Sequence, residues 1–301
     1  MIETLKFPLL TPEFKDELDS IPSTLTDELP LGVYYNGVMH KKFRLVDTLS
    51  VAALSHIHNK TMLQNNPAKW FLNTVSYLID SIENVPVFSE FQASNFKNVP
   101  KICLEMSNLD ALYVIIYAHN EFYGSEVLYN EYACPNCKHR DTYPLYVDKF
   151  YVDRRDVQLP IEVKLIKPIS GFRVQQAGGD IVPPDMVFDR VFLYPITLKT
   201  SLKHKDLYRG ADGNNEAYNI ALRVDTMTLG TADGFVADEK MMFFMRNELW
   251  QKLSEKDKLR IRRESEDSFP RIYPIMRADC ANCGSRVLVS LNFFSLIPET
   301  V

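Results

Sequence analysis

Two Cys-x-x-Cys pairs, Cys134-Pro135-Asn136-Cys137 and Cys280-Ala281-Asn282-Cys283, constrain this chain more than any other feature. Two residues between paired cysteines let both sulfurs reach one ion, and zinc takes four such soft ligands in a tetrahedron. The pattern therefore predicts one structural zinc held by Cys134, Cys137, Cys280 and Cys283. Between Cys137 and Cys280 lie 142 residues, whereas a self-contained zinc ribbon uses a much shorter gap. Convergence of the two pairs is thus a separate expectation. If they meet, the metal ties the middle of the chain to its last segment and closes a long loop. A four-cysteine site has no open position for water or substrate, so it would stabilise structure and not catalyse.

Other chemistries compete for the same residues. Each pair could be a half-site completed by His139, His119 or a partner chain. A redox pair would place its first cysteine at a helix N-terminus, where the dipole lowers the thiol pKa; these pairs read as joining strands. Secretory disulfides would accompany a signal peptide, and Met1 to Leu10 lacks that pattern. The residue after the second cysteine of a knuckle often needs φ > 0. Gly284 meets that need in the second pair, while Lys138 departs from it in the first. Cys103 lies in an apolar stretch and reads as a small buried hydrophobe.

Of 301 residues, 46 % are hydrophobic and 24 % charged, with 18 Phe, 15 Tyr and only 11 Gly. That balance predicts packed cores in a folded chain. The formal net charge of −5 argues against a phosphate-neutralising protein. The strongest apolar run, Leu109 to Ala118, is too short to span a bilayer and contains Asp110. The expected setting is a reducing cytoplasm.

Periodicity divides the chain into three parts. Residues 1–98 hold a hairpin, with strands at 32–35 and 43–46 turning at Asn36-Gly37, then helical spacing over 51–58 and 70–79. Residues 99–155 hold a helix over Leu109 to Phe122, capped by Asn108 and ended by Gly124, then a strand either side of the first cysteine pair. Residues 156–301 form an α+β region. It has strands at 161–165 and 191–198, an irregular loop marked by Gly178-Gly179 and Pro183-Pro184, and helices at 214–229 and 239–253. A further helix is capped by Ser254 with Asp257, and strands at 272–278 and 286–291 flank the second pair. A faint internal repeat runs through this order. Each cysteine pair follows a helical stretch, sits between two strands and precedes an aromatic doublet, Phe150-Tyr151 or Phe293-Phe294. The fold class expected is α+β: short hairpins and amphipathic helices, with two zinc knuckles converging on one site.

Motifs for nucleotide binding, zinc proteolysis and serine hydrolysis are absent from the sequence. His56 and His58 fall on different sides of a helix, poor geometry for one metal. The acidic stretch 233–240 reads as a solvated loop entering a helix. The basic stretch 256–263 is interleaved with acids and reads as a salt-bridged helix face. The Met and aromatic residues at 242–250 read first as core, and their excess would also suit an interface.

Four stretches resemble a family of tailed-phage proteins, the T4-type baseplate hub subunits and hub-assembly proteins. They are Leu29 to Leu45, Leu159 to Gly171, Leu253 to Asp257, and Cys280 to Phe294 with its Cys-Ala-Asn-Cys-Gly. The resemblance implies a viral structural or assembly protein of the contractile-tail baseplate hub, without enzymatic activity, and the four cysteines as its zinc ligands. It implies other tail or baseplate proteins and self-association as partners, with neither membrane nor nucleic acid. It also implies a place in the host cytoplasm during assembly and in the virion's tail baseplate. The rival from another class is a zinc-ribbon protein that binds nucleic acid or serves transcription.

Overall fold

A computed structural model describes residues 9–10, 23–154, 156–171, 186–208, 216–237, 248–291 and 296. The chain mixes helix and strand and divides into two compact units. Unit one is residues 1–154 with 270–301, and unit two is residues 155–269. The three sequence segments cut the chain elsewhere: 1–98 and 99–154 share unit one, and the last segment is split between the units. None of the described helices is long and apolar enough to cross a membrane.

Unit one is built on an antiparallel sheet of β2 (Glu28–Tyr35), β3 (Val38–Leu45), β4 (Ile79–Ile82) and β5 (Val85–Pro86), in that spatial order. Asn36 and Gly37 turn the hairpin with φ of 51° and 81°, the left-handed pair that matches strand twist. Between β3 and β4 the chain forms α1 (Val51–Ile57), α2 (Lys60–Asn65) and α3 (Pro67–Leu78). Helical spacing thus ends at Leu78, and Ile79 opens a strand. Then come α4 (Phe88–Ala93), α5 (Lys101–Glu105) and α6 (Asn108–Tyr123). Trp70, Leu72 and Val75 of α3 and Tyr113, Val114 and Ile116 of α6 are buried, and α6 packs on both α3 and β2.

The cap of α6 is Ser107, not Asn108: its hydroxyl accepts from Asp110 N–H at 3.0 Å. Asp110 is fully buried. It is held by a β-bulge in β2, where the register to β3 breaks between Glu28 and Val33. Gly32 sits there at φ 93°, and a Cβ on it would lie 2.9 Å from Met39 Sδ. The bulge leaves Leu31 N–H without a ladder partner, and Asp110 Oδ1 accepts it at 3.0 Å. Burial nevertheless raises the Asp110 carboxyl to about 6. Tyr113 locks the same corner, donating to Thr26 O and accepting from Thr26 N–H, with the Arg154 guanidinium over its ring.

Two hairpins complete unit one. One is β6 (Glu126–Ala133) with β7 (Arg140–Tyr146). The other is β13 (Ile275–Asp279) with β14 (Arg286–Ser290), extended by β1 (Leu9–Leu10) pairing parallel to β13. β8 (Tyr151–Val152) and β12 (Ile272–Tyr273) pair antiparallel where the chain leaves and re-enters this unit. Pro274 separates β12 from β13, dividing the single strand expected over 272–278.

Unit two has a three-stranded antiparallel sheet with β10 (Phe188–Leu193) between β9 (Ile161–Ile169) and β11 (Met227–Gly230). β10 stops at Leu193, because Thr197 caps α7 (Leu198–Lys203) by accepting from Thr200 N–H. α8 (Glu216–Asp225) ends before residue 229, where the expected helix stopped, and the last part of that stretch is the β-prone strand β11. Residues 248–252 are helical. Residues 239–247 of the helix expected over 239–253, the glycine and proline pairs expected to mark a loop, and Phe293-Phe294 lie outside the described residues. Val163, Phe188, Val191, Leu229, Leu249 and Ile261 form the core.

α9 (Glu255–Ser268) begins as expected, with Ser254 Oγ accepting from Asp257 N–H. Asp257 is fully buried. Its oxygens accept Ile166 N–H at 2.6 Å and Lys167 N–H at 3.2 Å from β9. Replacing it with Ala strands both donors, each worth about 1–3 kcal/mol. Asp257→Ala should therefore lower unfolding free energy by about 2–6 kcal/mol, read by chemical denaturation. Asp110 gives a pH dependence. Its folded pKa lies above the ordinary carboxylate value, so its contribution is full below about 3.8 and is lost as pH rises through about 6. Wild type should gain on Asp110→Asn by up to about 3 kcal/mol between pH 7 and pH 4. A difference that does not vary with pH would refute the assignment.

Candidate metal centre

The four cysteine thiols sit on two turns of equal length, 134–139 and 280–285, each closing a two-stranded antiparallel ladder. Ala133 pairs with Arg140 ahead of the first turn, and Asp279 pairs with Arg286 ahead of the second. The backbone bonds match. Cys134 N–H donates to His139 O at 2.8 Å, and Lys138 N–H donates to Cys134 O at 2.9 Å. In the second turn, Cys280 N–H donates to Ser285 O at 3.0 Å, and Gly284 N–H donates to Cys280 O at 2.8 Å. Both turns need a left-handed residue at the fifth position, supplied by Lys138 at φ 62° and Gly284 at φ 64°. Lysine is a costlier choice there than glycine, and Lys138 Nζ donates to Pro135 O at 3.0 Å across the same turn.

All four sulfurs lie within 4.8 Å of one another. Cys134 Sγ is 3.8 Å from Cys283 Sγ, and Cys137 Sγ is 3.6 Å from Cys280 Sγ. A tetrahedral ion with metal–sulfur bonds of about 2.3 Å has sulfur–sulfur edges of about 3.8 Å. A disulfide would bring two sulfurs to about 2.05 Å, and all five cysteines are free. The donor set therefore fits a tetrahedral, thiophilic metal ion. Cys134 and Cys280 are buried, Cys137 is half-buried and Cys283 is exposed, so one side of the cluster opens to solvent.

Hydrogen bonds differentiate the thiols. The Ser285 hydroxyl, then its N–H, pull the Cys283 thiol down to about 6. The Asn282 side chain, then His139 N–H, lower Cys137. Burial pushes Cys280 up to about 11. The donors to sulfur favour the thiolate form that a metal requires.

The alternatives from the sequence fall elsewhere. His119 is buried with Nδ1 3.2 Å from Leu296 O, and burial lowers its pKa. His139 lends the site its backbone, while its ring lies 4.0 Å from Asp141. The four cysteines form the one group of three or more His, Cys, Asp or Glu placed to share a metal among the described residues. Both turns join strands, so neither first cysteine has the helix dipole of a redox pair. Cys103 is buried, and burial raises its thiol to about 12, which makes it inert. His56 packs against Trp70, with Nε2 3.3 Å from Trp70 O. The basic stretch 256–263 lies on α9, where Lys258 pairs with Glu255.

Sequence reasoning passed over Asn136 and Ser285. Asn136 Nδ2 donates to Ser285 Oγ at 2.9 Å and lies 3.8 Å from Cys283 Sγ. Tyr143 OH reaches Asp279 O at 3.5 Å, so side chains as well as sulfurs join the two hairpins. The shared Asn before each second cysteine was the available signal.

Comparison with known proteins returned no matching family, no matching curated protein and no matching solved structure.

Loss of one ligand should open the whole arrangement. Cys280→Ser should lower unfolding free energy by about 4 kcal/mol or more, the scale of losing a structural metal. A thermal and denaturant melt of metal-loaded protein checks it, and an unchanged midpoint would reject the idea that the site staples the fold.

Proposed function

We propose that the two turns are zinc knuckles holding one structural zinc, and that the chain is a non-enzymatic structural or assembly protein acting through protein–protein contacts. The observation that carries the first part is the convergence of four sulfurs, from turns 142 residues apart, at the edge lengths of a tetrathiolate site. Nitrogen and oxygen ligands are missing from the set, which favours zinc over harder divalent ions. Such a centre is coordinatively closed, so its contribution is to hold two hairpins together.

The second part rests on the resemblance of Leu29 to Leu45, Leu159 to Gly171, Leu253 to Asp257 and Cys280 to Phe294 to T4-type baseplate hub and hub-assembly proteins. In that reading the partners are other contractile-tail proteins and copies of this chain, met in the host cytoplasm and in the tail baseplate. The net charge of −5 supports this over the nucleic-acid rival, because binding phosphates calls for a positive face.

Elemental mass spectrometry on untagged protein, purified without added metal, should find one zinc per chain. Two per chain would indicate separate half-sites, and none with four free thiols would remove the zinc reading. For the role, co-expression with the other tail structural proteins should yield a complex retained through size exclusion. Recovery of the chain alone, together with a gel shift that collapses as salt rises, would replace it with the nucleic-acid reading.

A further inference from the structure

The faint repeat in the sequence has a counterpart in the fold. The first copy runs β2–β3, helices α1 to α3, β4, then β5 and the short helices α4 and α5 that the second copy lacks among the described residues, the Ser107-capped α6, and the β6–β7 hairpin with its cysteine turn. The second runs β9–β10, helices α7 and α8, β11, the helical residues 248–252, the Ser254-capped α9, the short β12, then the β13–β14 hairpin with its cysteine turn.

Details below the level of element order agree. Leu45 pairs with Ile79, and Leu193 pairs with Met227. Next to them, Val46 N–H donates to Leu78 O and Tyr194 N–H donates to Thr226 O, both at 2.9 Å. One constant offset along the chain carries all four residues of the first set onto the second. Ser50 and Thr197 each open the following helix with a side-chain cap. Most tellingly, Ser107-x-x-Asp110 and Ser254-x-x-Asp257 each place a fully buried carboxylate at the third helical position. There it accepts strand N–H groups from the first hairpin of its own copy. The distance along the chain from that Asp to the first cysteine differs by one residue between the copies.

At the metal centre the correspondence becomes a two-fold relation. The first cysteine of each turn faces the second cysteine of the other: Cys134 with Cys283, and Cys280 with Cys137. The Asn before each second cysteine reaches across in the same sense. Asn136 Nδ2 lies 3.8 Å from Cys283 Sγ, and the Asn282 side chain acts on Cys137, lowering its thiol.

We infer that the chain is an internal duplication whose metal centre lies on the pseudo-two-fold axis between one cysteine hairpin from each copy, with Asn136 and Asn282 as equivalent positioning residues that donate to the opposite hairpin's second thiolate. This inference rests on reading the four cysteines as a metal centre. A four-thiolate site carries a net charge of −2 with a divalent ion, and amide N–H groups aimed at sulfur offset part of it. A two-fold site requires both asparagines to do so alike.

Cobalt(II) as the probe separates this role from mere packing. N–H donors stabilise the sulfur lone pairs, so losing one should shift the thiolate-to-cobalt charge-transfer band to lower energy. In the full chain, Asn136→Ala and Asn282→Ala should each shift that band the same way. Each should also weaken zinc binding by about tenfold or more, read by chelator competition. Asn136→Asp and Asn282→Asp, the same size but without the donor, should weaken it further. Circular dichroism of the zinc-loaded variants checks that each is folded, and the band itself is read only from folded protein. If wild type takes up no cobalt or zinc, the metal-centre reading fails. If wild type binds and neither band moves, the positioning role fails and the metal centre stands. If only one variant responds, the two-fold equivalence is overturned.

Discussion

Four sulfurs drawn to a common point are what the C-terminal hairpin of unit one depends on. That hairpin, β13–β14, reaches the β6–β7 hairpin through Cys280 and Cys283, with added contacts from Asn136 to Ser285 and from Tyr143 to Asp279. Its strands are five residues each, and β1 adds only two residues to their sheet, so little of its stability is its own. A divalent ion bound there would replace the mutual repulsion of thiolates with four bonds and so hold the two hairpins as one element.

The rest of the fold is held by a different device used in each unit. A helix begins with a serine cap, and the carboxylate one turn in reaches out to backbone donors of a neighbouring strand. In unit one the donors are freed by the bulge at Gly32, while in unit two they are Ile166 and Lys167. Helix start and strand register are thereby fixed by a single buried side chain. Charge burial is tolerated because oxygen lone pairs meet N–H groups.

Much of this was legible residue by residue. Asn36-Gly37 marked the hairpin, Ser254 marked the start of α9, and each Cys-x-x-Cys marked a tight turn between strands. These are local signals whose physics acts over a few residues. Asn108 was the wrong cap by one position because Ser107 also carries an acceptor, and only geometry decides between them. The helical reading ran past Leu78 and past Asp225 because apolar residues at a helix end and in a following strand share the same composition. Nothing in the sequence stated that Asp110 and Asp257 grip strands, since their partners lie some eighty or ninety positions away. The inserted character of unit two was missed for the same reason: the pairing of Val152 with Ile272 is long-range.

That pairing alters what a metal at the four cysteines would have to do. Asp153 N–H donates to Arg271 O at 2.8 Å, and Tyr151 and Val152 lie against Tyr273 and Ile272. The excursion through residues 155–269 is therefore already shut at its neck, a few residues before Cys280. With the neck formed, an ion at the cysteines would enclose only short arms and not the whole excursion, and closure entropy grows with the logarithm of the enclosed length. A metal at the four cysteines would thus act less as a clasp on a long loop than as a rivet through a seam the backbone has begun to sew. Changes in the length of unit two would accordingly leave metal affinity almost untouched.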